Sequence, residues 1–351
     1  MKGKPMSRYS SRVSINEIAE EVGVSKATIS RYLNGKFEYM SHATREKIKH
    51  TIEVMGYRPS KIARSLKLQT SKMIGCIIAD ISNPASSVII QGISDVCDAA
   101  GYQVLFSNSG ENDAQKELSS IESLLDSRID GLIINSTGYN SDYLKSLRNE
   151  GMPIVLVDRI FDQEYKLDGV TSENYSSTME CIEHLWRQGY RHIGCFTGDM
   201  LRISSRRIRR QAFLDAMARF YSKDAQDDVY IIDHTDEEKT TELLHVFLEK
   251  AANTSSAIFA SNGVVQLHLL SVLKKMRVEI GKDLGFCGFD DWGWAALVGP
   301  GITTVAQNSY QMGAEAARLL LERIEGNVLT ENICIQIPNE LKIRGSTKPV
   351  S

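Results

Sequence analysis

Long apolar runs are missing from this chain of 351 residues. No stretch of about 18 or more apolar residues occurs, so no ordinary membrane-spanning helix is expected. The basic start lacks the apolar segment of a secretory signal, and a cytoplasmic location is the expectation. Cys-x-x-Cys pairs are also absent. The six cysteines, Cys76, Cys97, Cys181, Cys195, Cys287 and Cys334, are scattered, several of them inside apolar runs such as IGCII and HIGCF. That placement reads as reduced core residues rather than zinc ligands. No Walker phosphate loop, no Gly-x-Ser-x-Gly elbow, no His pair at metal spacing and no Gly-x-Gly-x-x-Gly after a strand is found. An enzyme is therefore not expected, nor any cofactor or metal. What remains is the composition of a soluble globular protein, 42% apolar and 24% charged, with room for two or three domains.

The formal net charge of -3 conceals a division. Residues 1–72 hold 15 Lys/Arg against 6 Asp/Glu, and the remainder holds 26 against 38. A basic head on an acidic body points to an anionic partner for the head alone, a solvated basic arm being the alternative.

Residues 1–12 have no periodicity and are expected to be a disordered arm. In SINEIAEEVGVSKATISRYLNG, Ile15, Ile18, Ala19 and Val22 fall at helical spacing, Gly23 permits a tight turn, and Ser25 suits the cap of a second helix that ends at Asn34-Gly35. Ile29 and Leu33 carry the buried stripe onward, leaving Lys26, Thr28, Ser30 and Arg31 outside. A third helix, capped by Ser41, turns Ile48, Ile52 and Met55 inward. This is the helix-turn-helix arrangement, whose second helix enters the major groove of DNA. Lys26 and Arg31 suit guanine or phosphate, Thr28 and Ser30 suit phosphate, and Ala27 suits a thymine methyl. An exposed helix with no ligand is the other reading of the same residues. In YRPSKIARSLKLQTSK, Pro59 biases Arg58 away from helix, and Ser60 can cap a short helix over about 61–67 that is marginal by itself.

From Met73 onward, apolar strand runs alternate with helical stretches: MIGCIIAD, GYQVLFSNS, DGLIINS, PIVLVDR, DGVTSEN, HIGCFTGD, VYIID, SAIFASN, LGFCGFDD and ITTVAQ. Amphipathic segments such as SSVIIQGISDVCDAA and ELSSIESLLDSR lie between them. Alternation of this kind predicts an α/β body with parallel sheets covered on both faces. Ligands in such folds bind beyond the carboxyl ends of the strands. Asp80, Asn83, Asn135, Asp158, Arg159, Asn262, Asp290 and Gln307 gather at those ends, although any one of them could be a cap or turn residue.

INEIAEEVGVSKATISRYLNG, TREKIKHTIEVMGYRPSKIARSLK, IGCIIADISNP and PNELKIRGST occur in one order and spacing, and on them the chain resembles the LacI/GalR family of bacterial transcription regulators over about residues 13–347. The resemblance implies a disordered arm (1–12), a helix-turn-helix domain (13–59), a hinge helix and linker (60–72), and an effector-binding and dimerisation domain (73–351). Within that last domain it implies two Rossmann-like lobes of periplasmic-binding-protein type, lobe 1 at about 73–171 and 302–337 and lobe 2 at about 172–301 and 338–351. The chain is expected to cross between them near Thr171, Gly301 and Pro338. The resemblance further implies DNA contacts from Ser14, Lys26, Ala27, Thr28, Ser30, Arg31, Asn34, Ser60, Ala63, Leu66 and Lys67, Leu66 matching the leucine wedge of the minor groove. Arg209 in RRIRRQAF and Asp290 in GFDD match the Arg and Asp that hold sugar-type ligands.

Three departures bear on the ligand. Ala85 and Ser86 follow ISNP where aromatics are common, Asn262 stands in Ser-Asn-Gly rather than beside an Asp, and Trp292 and Trp294 follow Asp290. The last stretch resembles the branch that regulates breakdown of sugar acids such as 2-keto-3-deoxygluconate. Arg202, Arg206, Arg207, Arg209 and Arg210 supply more positive charge than a neutral sugar requires, unless only Arg209 turns inward. The resulting expectation is a homodimeric repressor of a carbohydrate or sugar-acid operon, released from a palindromic double-stranded operator by a small-molecule effector (sugar, sugar acid or sugar phosphate). No long C-terminal heptad follows Ser346 to make it a tetramer. A corepressor-dependent regulator and a sugar-modifying enzyme are the alternatives.

Overall fold

The computed structural model describes residues 13–38, 40–57, 70–111, 113–161, 167–199, 203–251, 254–326 and 331–348. The expected arm (1–12) and, in the hinge, Ser60, Ala63, Leu66 and Lys67 lie outside the described residues, as does Arg202. Two compact units result, Met1–Ser71 and Lys72–Ser351.

The first unit packs α1 (Ile15–Val22), α2 (Lys26–Leu33) and α3 (His42–Met55) around Ile18, Ala19, Val22, Ile29 and Ile48. Each helix starts at a serine whose hydroxyl accepts the N–H three residues on: Ser14 from Glu17, Ser25 from Thr28, Ser41 from Thr44. Such caps satisfy donors that the first turn leaves unpaired and contribute about 1 kcal/mol each. Gly23 closes α1 with φ 74°, a left-handed torsion that costs a side-chain-bearing residue energy.

The second unit holds two six-stranded sheets. Ordered from edge to edge, the first is β11 (Cys334–Ile337), β5 (Asp168–Ser172), β4 (Ile154–Val157), β3 (Gly131–Ile134), β1 (Met73–Ile78) and β2 (Gln103–Asn108), parallel throughout. The second is β12 (Glu340–Lys342), β10 (Thr303–Ala306), β9 (Gly285–Phe289), β8 (Ser256–Ala260), β6 (His192–Thr197) and β7 (Val229–Ile231). In it, only β12 runs antiparallel to its neighbour. Central strands such as GLII and IVLV are buried at every position, as parallel strands between helical layers must be. In the first lobe one core lies against α4 (Pro84–Ala99) and α11 (Ser309–Ile324), and another against α5 (Ala114–Asp126) and α6 (Ser141–Asn149). In the second lobe α7 (Asn174–Arg187) and α8 (Ser204–Tyr221) cover one face, and α9 (Glu237–Lys250) and α10 (Gly263–Lys275) the other. No helix among the described residues is long and apolar enough to cross a membrane.

The chain crosses between lobes after β5, after β10 and after β11. The second crossing corrects the boundary expected near Gly301. Thr303–Val305 pair with Cys287–Phe289 in the second sheet, so lobe 1 resumes only at α11. Gly299-Pro300-Gly301 is a turn that returns the chain to the same sheet, with Gly301 at φ 79° and Ile302 N–H donating to Ala295. The two strands β11 and β12 were not among the expected ones. Coverage of β2 is incomplete, Phe106 being 42% exposed. Of the cysteines, Cys334 is exposed and the other five are buried.

The tightest helix pair is made by two glycines. A Cβ at Gly92 would collide with the Tyr310 carbonyl oxygen, and one at Gly313 with that of Ile89, so α4 and α11 meet backbone to backbone.

Candidate functional site

In the first unit Lys26, Ala27 and Arg31 stand exposed on α2, with Thr28 and Ser30 half-buried beside them and Asn34 exposed at its end. Part of the polar set is already engaged. The Ser14 hydroxyl caps α1, the Thr28 hydroxyl lies 3.0 Å from that of Ser25, and Asn34 Nδ2 donates to Ser30 O at 2.6 Å. These bonds fix the start and end of α2, leaving the Lys26 and Arg31 side chains exposed on it. A short rigid helix with such a face can lie in a major groove and meet phosphates and base edges.

In the second unit, Asp80, Asn83, Asn135, Asp158, Arg159, Arg209, Asn262, Asp290 and Gln307 all line one cavity between the lobes. Asp158 and Asp290 end the equivalent strands β4 and β9, each with a left-handed backbone, φ 66° and 75°. Non-glycine residues hold such torsions at a cost of about 1–3 kcal/mol, which is why they concentrate at functional sites.

Several of these side chains also close helices or turns. Asn83 Oδ1 accepts from Ala85 N–H and Asn262 Oδ1 from Val265 N–H, at 2.9 and 3.0 Å. Asp80 Oδ1 accepts from the N–H and hydroxyl of Ser82, and Asp290 Oδ2 from Gly263 N–H at 2.7 Å. Capping and cavity lining coincide, because helices α4 and α10 start where strands β1 and β8 end.

Arg209 is buried, and each of its nitrogens donates a hydrogen bond. Its Nε donates to Asn174 Oδ1 (2.7 Å), Nη1 to Ser261 O (2.7 Å) and Nη2 to Gln307 Oε1 (3.1 Å), and its guanidinium carbon lies 3.6 Å from the Phe289 ring centroid. Burial lowers its pKa, against the raising effect of Asp290 and Asp158. Gln307, at the second crossing, accepts the Ser172 hydroxyl (2.6 Å) and donates to Asp290 Oδ1 (2.5 Å). Ser172 Oγ lies 3.0 Å from Asn339 Oδ1, so polar contacts join all three crossings.

Two charged residues of the cavity, Glu111 and Arg206, were not among the expected site residues. Glu111, just past β2, accepts from Arg159 Nη2 at 2.9 Å and from Arg206 Nη2 at 3.1 and 3.2 Å. Burial disfavours ionised Glu111, but the guanidiniums of Arg206 and Arg159 outweigh it and hold its carboxyl below the usual range. Arg206 extends from α8 of the second lobe, so this ion cluster spans the cleft. A second tie, Ile160 N–H to Ser204 Oγ at 3.0 Å, does the same. Of the basic run, then, Arg206 as well as Arg209 turns inward, while Arg207 is exposed and Arg210 pairs with Gln226. A surplus of arginines around 206 was the signal that could have found this cluster. Glu111 had none.

Asn135 Nδ2 donates to Asp158 Oδ2 at 3.1 Å, but Asn135 Oδ1 and Arg159 Nη1 are buried without a hydrogen-bond partner. Each such atom costs about 1–3 kcal/mol unless something binds it. The cavity measures about 60 Å³. Ligand clefts span roughly 300–1,000 Å³, so a six-carbon ligand enters only if side chains or lobes move. Trp292 and Trp294 stand off this cavity. Their rings meet edge to face at 6.3 Å, and Trp292 packs on Gly263, where a Cβ would lie 2.5 Å from the indole.

The family described as bacterial regulatory proteins, lacI family, matches residues 14–60, and the periplasmic binding protein-like domain matches residues 182–347. The HTH-type transcriptional regulator KdgR of Bacillus subtilis is 38% identical over 90% of this chain and 92% of its own length. The HTH-type transcriptional regulator PtxS of Pseudomonas plecoglossicida is 34% identical over 98% of each chain. Among solved structures, a lac repressor dimer bound to operator and the anti-inducer ONPF superposes with a TM-score of 0.83 at 22% identity, covering 96% of this chain and 99% of that one.

Proposed function

Because the chain belongs to the lacI family of bacterial regulatory proteins, we propose that its head reads an inverted-repeat operator as a two-fold dimer while its body senses an acidic sugar. It is a DNA-binding transcription regulator and not an enzyme. Its place of action is then the cytoplasm, where the operator is. Lys26, Arg31 and their polar neighbours on α2 take the operator, joined by Ser60, Ala63, Leu66 and Lys67 of the hinge segment. Asp80, Asp158 and Asp290 accept from sugar hydroxyls, Asn135 and Asn262 donate or accept, and arginine supplies the forked donors that suit a carboxylate.

The observation that carries the acidic-sugar reading is the pair Arg159 and Arg206 in one cleft, with a buried Arg159 nitrogen that lacks a partner. A ligand that touches both lobes favours the closed cleft and shifts the population by its differential affinity. Release from the operator is the expected response. Footprinting of the purified protein on the DNA upstream of neighbouring genes, followed by titration with sugars, sugar acids and sugar phosphates, tests the proposal. Protection of an inverted repeat that a sugar acid abolishes supports it. Tighter binding on addition would make the ligand a corepressor, and a response to neutral sugars only would remove the acidic-sugar reading.

A further inference from the structure

Of the arginines facing the cleft, Arg209 is held in place by its surroundings: each of its three nitrogens donates once, to Asn174, Ser261 and Gln307, which uses three of its five N–H groups. Arg159 and Arg206 both pair with Glu111, Arg206 also donating from Nη1 to Asp199 O at 3.1 Å. One Glu111 oxygen takes both guanidiniums and the other takes Arg206 alone, while buried Arg159 Nη1 has no partner. A carboxylate seated squarely on Arg159 would use both ends of its fork. The Glu111 side chain, anchored in the turn after β2, meets only one.

We propose that Glu111 is a built-in competitor for the effector's carboxylate: it occupies the receptor formed by Arg159 and Arg206, and an acidic ligand binds by displacing it. The inference rests on the acidic-sugar reading given above. Charge supports displacement rather than co-occupancy. Four carboxylates, from Asp80, Glu111, Asp158 and Asp290, line the cavity against three guanidiniums, from Arg159, Arg206 and Arg209. A further anion placed there with Glu111 still present meets a net negative wall, whereas with Glu111 swung out the wall is balanced. Space requires some movement, since about 60 Å³ does not admit a six-carbon acid, and the Glu111 side chain is one of the groups that fill the cavity wall. Glu111 is partly exposed, its side chain 27% accessible, so it can leave toward solvent. Competition of this kind makes the cleft selective. A neutral sugar cannot take over the two guanidiniums that Glu111 would have to abandon, and only a ligand bringing its own carboxylate restores the lost ion pairs.

The test is calorimetric titration of full-length wild type, Glu111→Gln, Glu111→Ala and Arg206→Gln with D-gluconate, 2-keto-D-gluconate, 2-keto-3-deoxy-D-gluconate and D-glucose. The expected result is that at least one acid binds the two Glu111 variants tenfold or more tighter than wild type, that Arg206→Gln binds it more weakly, and that D-glucose gains no such preference for acid-like affinity. Acid binding seen only in the Glu111 variants also supports the proposal. Equal or weaker acid binding by both Glu111 variants, with wild type still binding, overturns the inference and leaves the acidic-sugar reading intact. No acid binding by any of the proteins overturns both.

Discussion

Arg209 donates to the same Gln307 amide oxygen that accepts the Ser172 hydroxyl, at 3.1 and 2.6 Å. Ser172 ends the last strand before the first crossing and Gln307 begins the second, so a guanidinium that lines the cavity is wired directly to two of the crossing segments.

Arg209→Ala is therefore expected to lose effector-driven release, with operator binding by the head still measurable. Arg209→Lys should fail in the same way, because an ammonium cannot fork to Asn174, Ser261 and Gln307 while lying over Phe289. Arg209→Ala should also destabilise the body by about 2–5 kcal/mol, since buried acceptors lose a charged donor. Fluorescence anisotropy of a labelled operator with increasing sugar acid measures the first effect. An undiminished response in either variant would remove Arg209 from the site.

Helix α4 meets α11 through Gly92 and Gly313 with no room for a methyl. Gly313→Ala must drive two backbones apart, and overpacking of this kind costs about 1–3 kcal/mol. The melting temperature should fall by several degrees. Gly326→Ala, at an open position with φ 87°, is strained by its torsion and not by contact, and serves as the comparison.

Asp291 ties β9, β10 and β12 together, pairing with Arg344 at 2.8 Å and Lys342 at 2.9 Å and accepting from Thr304 Oγ1 at 2.8 Å. Burial opposes its ionisation, but the hydrogen bonds from Arg344, Lys342 and Thr304 prevail and hold its pKa at about 2, below the ordinary 3.8. A carboxyl depressed in the folded state contributes stability that is complete above its ordinary pKa and is lost as pH falls through the folded one. Asp291→Asn should cost about 1–2 kcal/mol near neutrality, after allowance for solvent screening, with the deficit shrinking between about pH 4 and pH 2. Urea titrations of both proteins across that window measure it, and a deficit independent of pH would exclude the ion pairs as its source.

In the hinge segment, Leu66→Ala is expected to weaken specific operator binding and to reduce DNA bending, leaving effector affinity nearly unchanged. Leu66 lies outside the described residues, and this expectation rests on its match to the leucine wedge. Circular-permutation mobility assays read the bend, and an unaltered angle would contradict the assignment.

What could be read from the chain alone was whatever is written within a few residues. Ser14, Ser25 and Ser41 each stand three residues before the N–H they cap, so the head was legible as three helices about one small core. Runs such as IVLV and GLII declare buried parallel strands by themselves, and polar residues directly after them mark the end of each sheet that faces the cavity. Short edge strands carry no such mark: CIQI buries only Ile337 and ELK buries nothing, so each needs a neighbour already in place. Sheet membership was likewise not local. ITTVA reads as a strand in either lobe, and only its pairing with β9 assigns it to the second. Glu111 shows the limit most clearly. It lies 48 residues before Arg159 and 95 before Arg206, in a turn with no pattern of its own. Its charge acquires meaning only when two lobes fold toward each other and remove from water the space in which the three side chains meet, where an unpaired charge would be far costlier than at the surface.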